Sequence, residues 1–487
     1  MSILVVDIGT SGLRAGVVRN DGSLNFLNYE ACRPSTPAPG LVEFDAQQMA
    51  DAVLRVCNQT IEQSKITDTI DAVGITNQRA STVIWSKSTG KPFGPAIGWQ
   101  DLRTVGECMV AAAEHGIKLA PNQTATKAAW MLQNYIFANK IDLADVRIGT
   151  VDSYIAAVLS KNKLHVTDSS NAAVTGLCNI DALSWSPRLC ELLKVEIETL
   201  PKIVASSGVI GNATALPGAP PIAALIGDQQ SSLVGQACIT SGATKITFGT
   251  GGMLNTFTGQ DAPTKFVRSE HGVYPIVAFR DSVATYWASE AIMLSAGTNL
   301  DWLCQDLQLI SSPSESHELA SQVPDSGGVV FVPALFGLGT PHWDYGARGT
   351  LLGITRGTNR AHIVRSVLEG IAHRGADMVD SVVGETKLDI KSIRIDGGMS
   401  RNPSFVQALA NATGRKIEVS PITEATTLGA AFLAGSEVSF WQSLEQATTT
   451  WKPAQIIEPT ELLNRAQWHE AVSRARNWIP ALSSLDF

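Results

Sequence analysis

The sequence predicts an α/β protein built as two similar halves that face one ligand. Three observations carry this. Short apolar, strand-like runs alternate with helical patterns, which indicates layered α/β structure rather than an all-helical or all-β protein. A Gly-Thr turn follows a strand near the N-terminus, at Asp7-Ile8-Gly9-Thr10, and again near the midpoint, at Phe248-Gly249-Thr250-Gly251-Gly252. The 487 residues are about three times the usual length of one domain, so more than one is expected.

Residues 3–6 form a short β-branched run ended by the polar turn 7–12, and residues 14–19 read as the return strand of a hairpin. Asp45 with Gln48 resembles a capping box, and Met49, Val53, Val56 and Thr60 follow on one helical face. Further strands are expected at 71–76, 222–226, 243–248, 328–332 and 393–395. The Pro- and Gly-rich segment 209–221 precedes the expected boundary, which gives an N-terminal domain over 1–237 and a C-terminal domain over 238–487. The tail 461–478 suits an amphipathic helix with Leu463, Ala471, Ala475 and Trp478 near one face.

Composition narrows the classes. Apolar residues make up 44% and charged residues 17%, which excludes a largely disordered chain. Lys plus Arg number 37 against 45 for Asp plus Glu, and the net charge of −8 argues against dedicated binding of nucleic acid or an anionic membrane. Seven scattered cysteines without a CxxC pair read as reduced core residues of a cytoplasmic protein. The first residues lack the basic, then apolar, pattern of a signal peptide. The uncharged stretch 203–227 contains three Pro and four Gly, so it is not read as a membrane span. A soluble protein is expected.

The Gly-rich turns carry the first chemical signal. Gly lets backbone N–H groups approach phosphate oxygens, hydroxyls add donors, and Asp7 can hold Mg²⁺ directly or through water. A tight hairpin explains one such turn equally well, but two in one chain favour a phosphate clamp. Asp396-Gly397-Gly398 is a third turn of this kind, where a base or ribose can lie against the backbone. No GxxxxGK[ST] and no GxGxxG occur, so P-loop and dinucleotide-fold readings lack their defining residues.

Gly227-Asp228-Gln229-Gln230 follows an apolar strand. Asp228 there is either a helix N-cap or a base that takes a proton from a substrate hydroxyl attacking a γ-phosphate. Asn77-Gln78-Arg79 and Trp99-Gln100-Asp101-Leu102-Arg103 also end apolar strands. Together they suit a polyhydroxylated substrate, or else form a surface salt-bridge group beside a half-buried Trp. The eight His show no HxxH or HExxH spacing, and no GxSxG elbow occurs, so catalytic zinc and serine hydrolysis are not indicated.

Read together, these residues resemble the FGGY carbohydrate kinases. The ordered set is Asp7-x-Gly-Thr, Asn77-Gln78-Arg79, Trp99-Gln100-Asp101-x-Arg103-Thr104, Gly227-Asp228-Gln229-Gln230, Gly249-Thr250-Gly251 and Asp396-Gly397-Gly398. Phe331-Val332-Pro333-Ala334, Gly337-Leu338, Pro341-His342-Trp343-Asp344 and Ala347-Arg348-Gly349 resemble the long signature of that family's second half. The glycerol kinase branch matches best, and the similarity runs from Leu4 to about Gly435. The resemblance implies two actin-like (ribonuclease-H-like) domains closing over a catalytic cleft, with ATP and Mg²⁺ as cofactors and a small polyol or sugar as substrate. It implies Asp228 as general base, Asp7 near Mg²⁺, and Thr10, Ser11, Arg14 and Thr250 around the phosphates. Gly297, Gly398 and Asn402 match nucleotide-contact positions, while Asp301 stands where glycerol kinases usually have Gln. Arg79, Trp99, Asp228 and Gln229 match polyol-contact positions.

The departures bear on substrate. Glycerol kinases follow Asn-Gln-Arg with Glu, whose carboxylate grips two glycerol hydroxyls; this chain has Ala80. Asn122 stands for a Tyr of the glycerol pocket and Met253 for a Phe. Losing Glu and Tyr removes hydrogen bonds and frees volume, which favours a longer polyol or a ketose. The xylulokinase branch has Met-His-Gly where this chain has Asn77-Gln78-Arg79. The alternatives are a xylulose- or ribulose-type kinase and a non-catalytic actin-like ATP-binding protein. A homo-oligomer is compatible with all of them.

Overall fold

The computed structural model describes residues 2–65 and 69–485. Its frame is two mixed β-sheets. In the first, β1 (Ser2–Ile8) pairs antiparallel with β2 (Gly12–Val18), which pairs antiparallel with β3 (Leu24–Ala31). On its other side β1 runs parallel to β4 (Ile70–Asn77). Beyond β4 lie β5 (Ser207–Asn212) and β6 (Pro221–Gly227), in the order β5-β6-β4-β1-β2-β3. Every residue of β1 is buried, as expected of a strand covered on both faces.

The second sheet repeats this plan. Its strands are β7 (Thr244–Phe248), β8 (Gly252–Gly259), β9 (Tyr274–Arg280), β10 (Thr285–Met293), β11 (Ser392–Asp396), β12 (Lys416–Val419) and β13 (Gln455–Ile457), in the order β9-β10-β8-β7-β11-β12-β13. Like β1, β7 has an antiparallel hairpin partner on one side and a parallel strand, β11, on the other. The two Gly-Thr turns therefore occupy equivalent hairpin ends, and the repeat glimpsed in the sequence is a repeat of topology.

Helix α1 (Ala46–Ser64) buries Met49, Val53, Val56 and Thr60 together, and the Asp45 carboxylate accepts the Gln48 N–H at 2.9 Å. Later come α2 (Asp228–Gly235), α3 (Arg360–Thr386), α4 (Pro403–Thr413) and α5 (Ala425–Glu437). Each sheet has its own core, and a third core joins them. In it Ile3, Val5 and Ile226 of the first sheet meet Leu233, Phe257, Ile276, Leu428 and Phe432.

Helices α2 and α5 cross inside this shared core, backbone against backbone. A Cβ added at Gly235 would lie 1.9 Å from the Ala425 carbonyl oxygen, and one at Gly429 would lie 1.8 Å from that of Ser231. Helix propensity alone favours Ala over Gly by about 1 kcal/mol, but the overlap outweighs it. Gly235→Ala is expected to destabilise the protein by about 1–3 kcal/mol or more, read as a lower urea midpoint. An unchanged or raised midpoint would show that the crossing relaxes freely.

Two sequence expectations change. The 328–332 run is a strand only over Val330–Val332, and it pairs with Thr350–Leu352 outside both main sheets. Gly327 and Gly328 take φ of 63° and 77°, which breaks the strand before Val330. The tail helix spans Arg465–Ala475 and buries Trp468, whereas Trp478 lies past its end and is 72% exposed. A smaller sheet of Glu43–Phe44, Ala96–Ile97, Thr82–Ser86 and Val146–Thr150 was not expected. All seven cysteines are unpaired. Among the described residues, no helix is long and apolar enough to cross a membrane.

Candidate active site

Strands β4 and β6 run side by side, with Asn77 opposite Gly227 where both end. Gly227 occupies the cap position of α2, so Asp228 is the first helical residue and does not cap the helix itself. Its carboxylate accepts the Gln229 N–H at 2.7 Å. The Gly227 N–H donates to Ser170 Oγ at 3.0 Å, and Asn171 Nδ2 donates to Asn77 Oδ1 at 3.1 Å. Buried Asp168 accepts from both Ser170 and Asn171, so one polar network fastens both strand ends.

Arg79 leaves β4 and lies across Gly227, where any Cβ would come within 2.8 Å of its side chain. Its Nε sits 3.7 Å from Asp228 Oδ1, and its Nη2 donates to Glu290 Oε2 at 2.9 Å. Glu290 comes from β10 of the other half and also accepts from Asn255 on β8. Among the described residues, buried Arg79 Nη1 has no hydrogen-bond partner. Burial pushes the Asp228 carboxyl above the usual range, opposed by Arg79. The Asp228 side chain keeps 26% of its surface exposed, so a substrate can reach it. Lys245, buried on β7, donates to Gln229 Oε1 at 2.8 Å and to Thr247 Oγ1 at 3.0 Å.

Past Arg79 the chain turns through Ala80, which is buried with φ of 61°. That conformation costs a residue with a side chain about 1–2 kcal/mol, so other contacts must hold it. Ser81 Oγ donates to Gln78 Oε1 at 2.9 Å and accepts the Trp99 backbone N–H at 3.0 Å. The Trp99 indole N–H donates to Thr10 Oγ1 at 3.1 Å, which joins the Trp99 loop to the first Gly-Thr turn. Trp99 is 38% exposed. Asn122 is exposed just before the helix Thr124–Met131, and Lys127 of that helix is fully buried.

Asp101 and Arg103 do not join this group. Arg103 Nε donates to Asp101 Oδ1 at 2.8 Å, and the same guanidinium reaches Glu43 at 2.8 Å and covers the Trp130 ring at 4.6 Å. They brace the loop around Val42, so the salt-bridge reading holds for this pair.

At the first Gly-Thr turn, Asp7 lies one residue before the end of β1, with its Oδ2 accepting from Thr426 Oγ1 at 2.7 Å. Arg14 lies 3.8 Å from the same oxygen and pairs with Glu424 of the other half. Burial pushes Asp7 up to about 6, and the Asp228 charge adds to the rise. Ser11 is exposed beside Thr10. In the second half, Ala296 N–H donates to Thr250 O and Gly297 N–H to Gly249 O, both at 2.9 Å. Gly397, at φ 86°, lies so near Phe248 O that a Cβ would be 2.3 Å from it. Three loops, 249–251, 296–298 and 396–398, thus converge. Gly398 is exposed, and a Cβ there would meet nothing within 4 Å.

Asp301 is exposed on the short turn Thr298–Asp301. Met253 sits on β8 two residues from Asn255, on the face that looks toward Arg79. The Asn402 side chain caps α4 by accepting the Phe405 N–H at 3.1 Å and donates to Ser316 Oγ at 2.8 Å. The sequence reading overlooked Glu290, Lys245, Thr426, Glu424 and Lys127. A lone charge inside an apolar run, as at Lys245 and Glu290, is the signal that marks the first two.

Residues 2–235 match the N-terminal domain of the FGGY family of carbohydrate kinases, and residues 244–438 match its C-terminal domain. This chain belongs to that family. The glycerol kinase of Janthinobacterium sp. (strain Marseille) is 38% identical to it over 98% of this chain and 99% of that protein. Glycerol kinase 2 of Thermotoga maritima is 37% identical over 98% and 99%. The crystal structure of Plasmodium falciparum glycerol kinase with ADP superposes with a TM-score of 0.90 and 31% identity, covering 97% of this chain and 98% of that one. A xylulose kinase from Lactobacillus acidophilus gives a TM-score of 0.84 at 22% identity over 99% and 98%, a likeness of fold alone. The two repeated halves of this FGGY kinase are thus the actin-like, ribonuclease-H-like pair.

Proposed function

We propose that this FGGY kinase transfers the γ-phosphoryl group of ATP to a primary hydroxyl of a small polyol, with Asp228 as general base. The observation that carries the reading is the Asp228 carboxylate, 26% exposed in the cleft and 3.7 Å from an Arg79 guanidinium that Glu290 of the other half anchors. The hydroxyl oxygen forms the new bond to phosphorus, its proton passes to Asp228, and the bond to ADP breaks.

Thr10, Ser11, Arg14 and Thr250 are assigned to the phosphates, and Gly297, Gly398, Asp301 and Asn402 to the nucleoside. Among the described residues, no cluster of three or more metal-ligating side chains occurs. Mg²⁺ that travels with ATP needs only one or two protein carboxylates, and Asp7 fits that role, with Thr426 fastening one oxygen. Such an ion would neutralise charge developing on the phosphates. Reduced cysteines and the use of ATP support a cytoplasmic setting. A non-catalytic ATP-binding role is not favoured, since it needs no Arg79–Asp228 pair.

The test is a coupled ADP-release screen over glycerol, tetritols, pentitols and pentuloses. The rate is expected to rise with at least one of them, and a rate unchanged by all would overturn the reading. The pocket argument adds a direction. Ala80 offers a buried methyl where a carboxylate would grip hydroxyls, so a longer polyol is expected to be preferred over glycerol. Ala80→Glu should raise kcat/KM for glycerol relative to that substrate by roughly tenfold, the worth of about one net hydrogen bond to a charged group. A wild-type enzyme that prefers glycerol to every longer compound would refute the pocket argument while leaving the kinase intact.

A further inference from the structure

Three separate stretches of chain build the acceptor side of the cleft, and all three end on one cation. Lys127 Nζ donates to the carbonyl oxygens of Ala80 at 3.2 Å, Gly98 at 3.0 Å and Asn122 at 2.9 Å. An ammonium carries three donors, so every one is used. The side chain has no exposed surface, and no ion pair to it occurs among the described residues. Burial pushes Lys127 down to about 7 against the pull of the Asp101 carboxylate, so keeping an ammonium among three carbonyls is costly compared with an apolar side chain of similar length. Bulk packing therefore does not account for Lys at this position.

What the three carbonyls have in common does account for it. Ala80 follows Arg79, Gly98 precedes Trp99, and Asn122 is itself one of the positions assigned to the substrate. Ala80 also sits at φ 61°, a backbone region that residues with a side chain seldom occupy. Its carbonyl takes a second bond from Thr124 Oγ1 at 3.2 Å. The loops 249–251, 296–298 and 396–398 belong to the other half, and none of them bonds to Lys127.

We infer that Lys127 is a positioning residue for the acceptor site: its ammonium fixes the three backbone segments against which the polyol lies. It sets polyol affinity and leaves nucleotide affinity alone. This rests on the reading that the polyol lies against Arg79, Ala80 and Trp99.

Lys127→Met keeps the length and removes the donors. With the best polyol from the ADP-release screen, its KM for polyol is expected to rise at least about tenfold while its KM for ATP stays within about twofold. Lys127→Ala should recover polyol affinity with added propylammonium, which replaces the missing atoms, and not with propanol. Thr124→Val, which trims one bond from the same clamp, should raise the polyol KM by about twofold to fivefold and decides the matter if the Lys127 variants do not fold. A folded Lys127→Met enzyme with an unchanged polyol KM overturns the inference, as does a parallel rise in both KM values without amine rescue. An unchanged polyol KM in Thr124→Val overturns it where only that variant folds. A wild-type enzyme that no polyol stimulates removes both this inference and the reading beneath it.

Discussion

Asp228→Asn is expected to lower kcat by about 10²–10⁴ while ATP binding survives, because the amide has the carboxylate's shape but cannot accept the hydroxyl proton. The site is arranged for this difference to matter. Burial raises the affinity of Asp228 for a proton above that of an ordinary carboxylate, which makes it the stronger base once ionised. Arg79 keeps the charge tolerable at 3.7 Å and remains anchored to Glu290 when Asp228 is changed, so the cleft geometry should persist. As pH falls through the raised pKa, Asp228 takes up a proton and kcat should decline; the Asn variant loses this contribution and keeps only that of Asp7. Steady-state turnover with calorimetric titration of ATP separates the two effects. A folded Asn variant turning over near the wild-type rate would end the assignment.

What the sequence revealed depended on how local the cause was. The buried strand β1, the return strand β2 and the apolar stripe of α1 follow from neighbouring side chains, and periodicity found all three. The Gly-Thr turns were legible because backbone approach there depends on residue type. Arg79 and Asp228 were legible singly, as polar groups ending apolar strands. Glu290, which holds Arg79 in place, reaches it from the other half through the register of β8 and β10, and no local pattern encodes that. Asp101 and Arg103 have the same residue types as a sugar site, and only their mutual bidentate contact shows that they brace a loop. No local pattern singles out Gly235 and Gly429 in the sequence. Their purpose, a backbone-to-backbone crossing, exists only once α2 and α5 meet.

Asp7→Asn should separate function from stability more sharply than any other change in the cleft. The Asn side chain can still accept from Thr426 but carries no charge to share with a divalent cation or with Arg14. We expect kcat/KM for Mg-ATP to fall by about a hundredfold, comparable to losing one preorganised electrostatic contact in phosphoryl transfer. The wild-type profile should itself weaken below pH 6, because Asp7, pushed up to about 6, is protonated there. The effect on stability has the opposite sign. The folded-state pKa is raised above the unfolded value, so folding favours the protonated acid. The stability this confers is fully present below the unfolded value of 3.8 and is lost as pH rises through about 6. At pH 8 the wild type therefore bears a buried charge that costs on the order of 3 kcal/mol, and the neutral variant does not. Urea unfolding at pH 8 should find Asp7→Asn more stable than wild type, while the same enzyme is nearly inactive. A variant that loses both activity and stability at pH 8 would mean that the carboxylate serves the fold, through Thr426 and Arg14, rather than the phosphates.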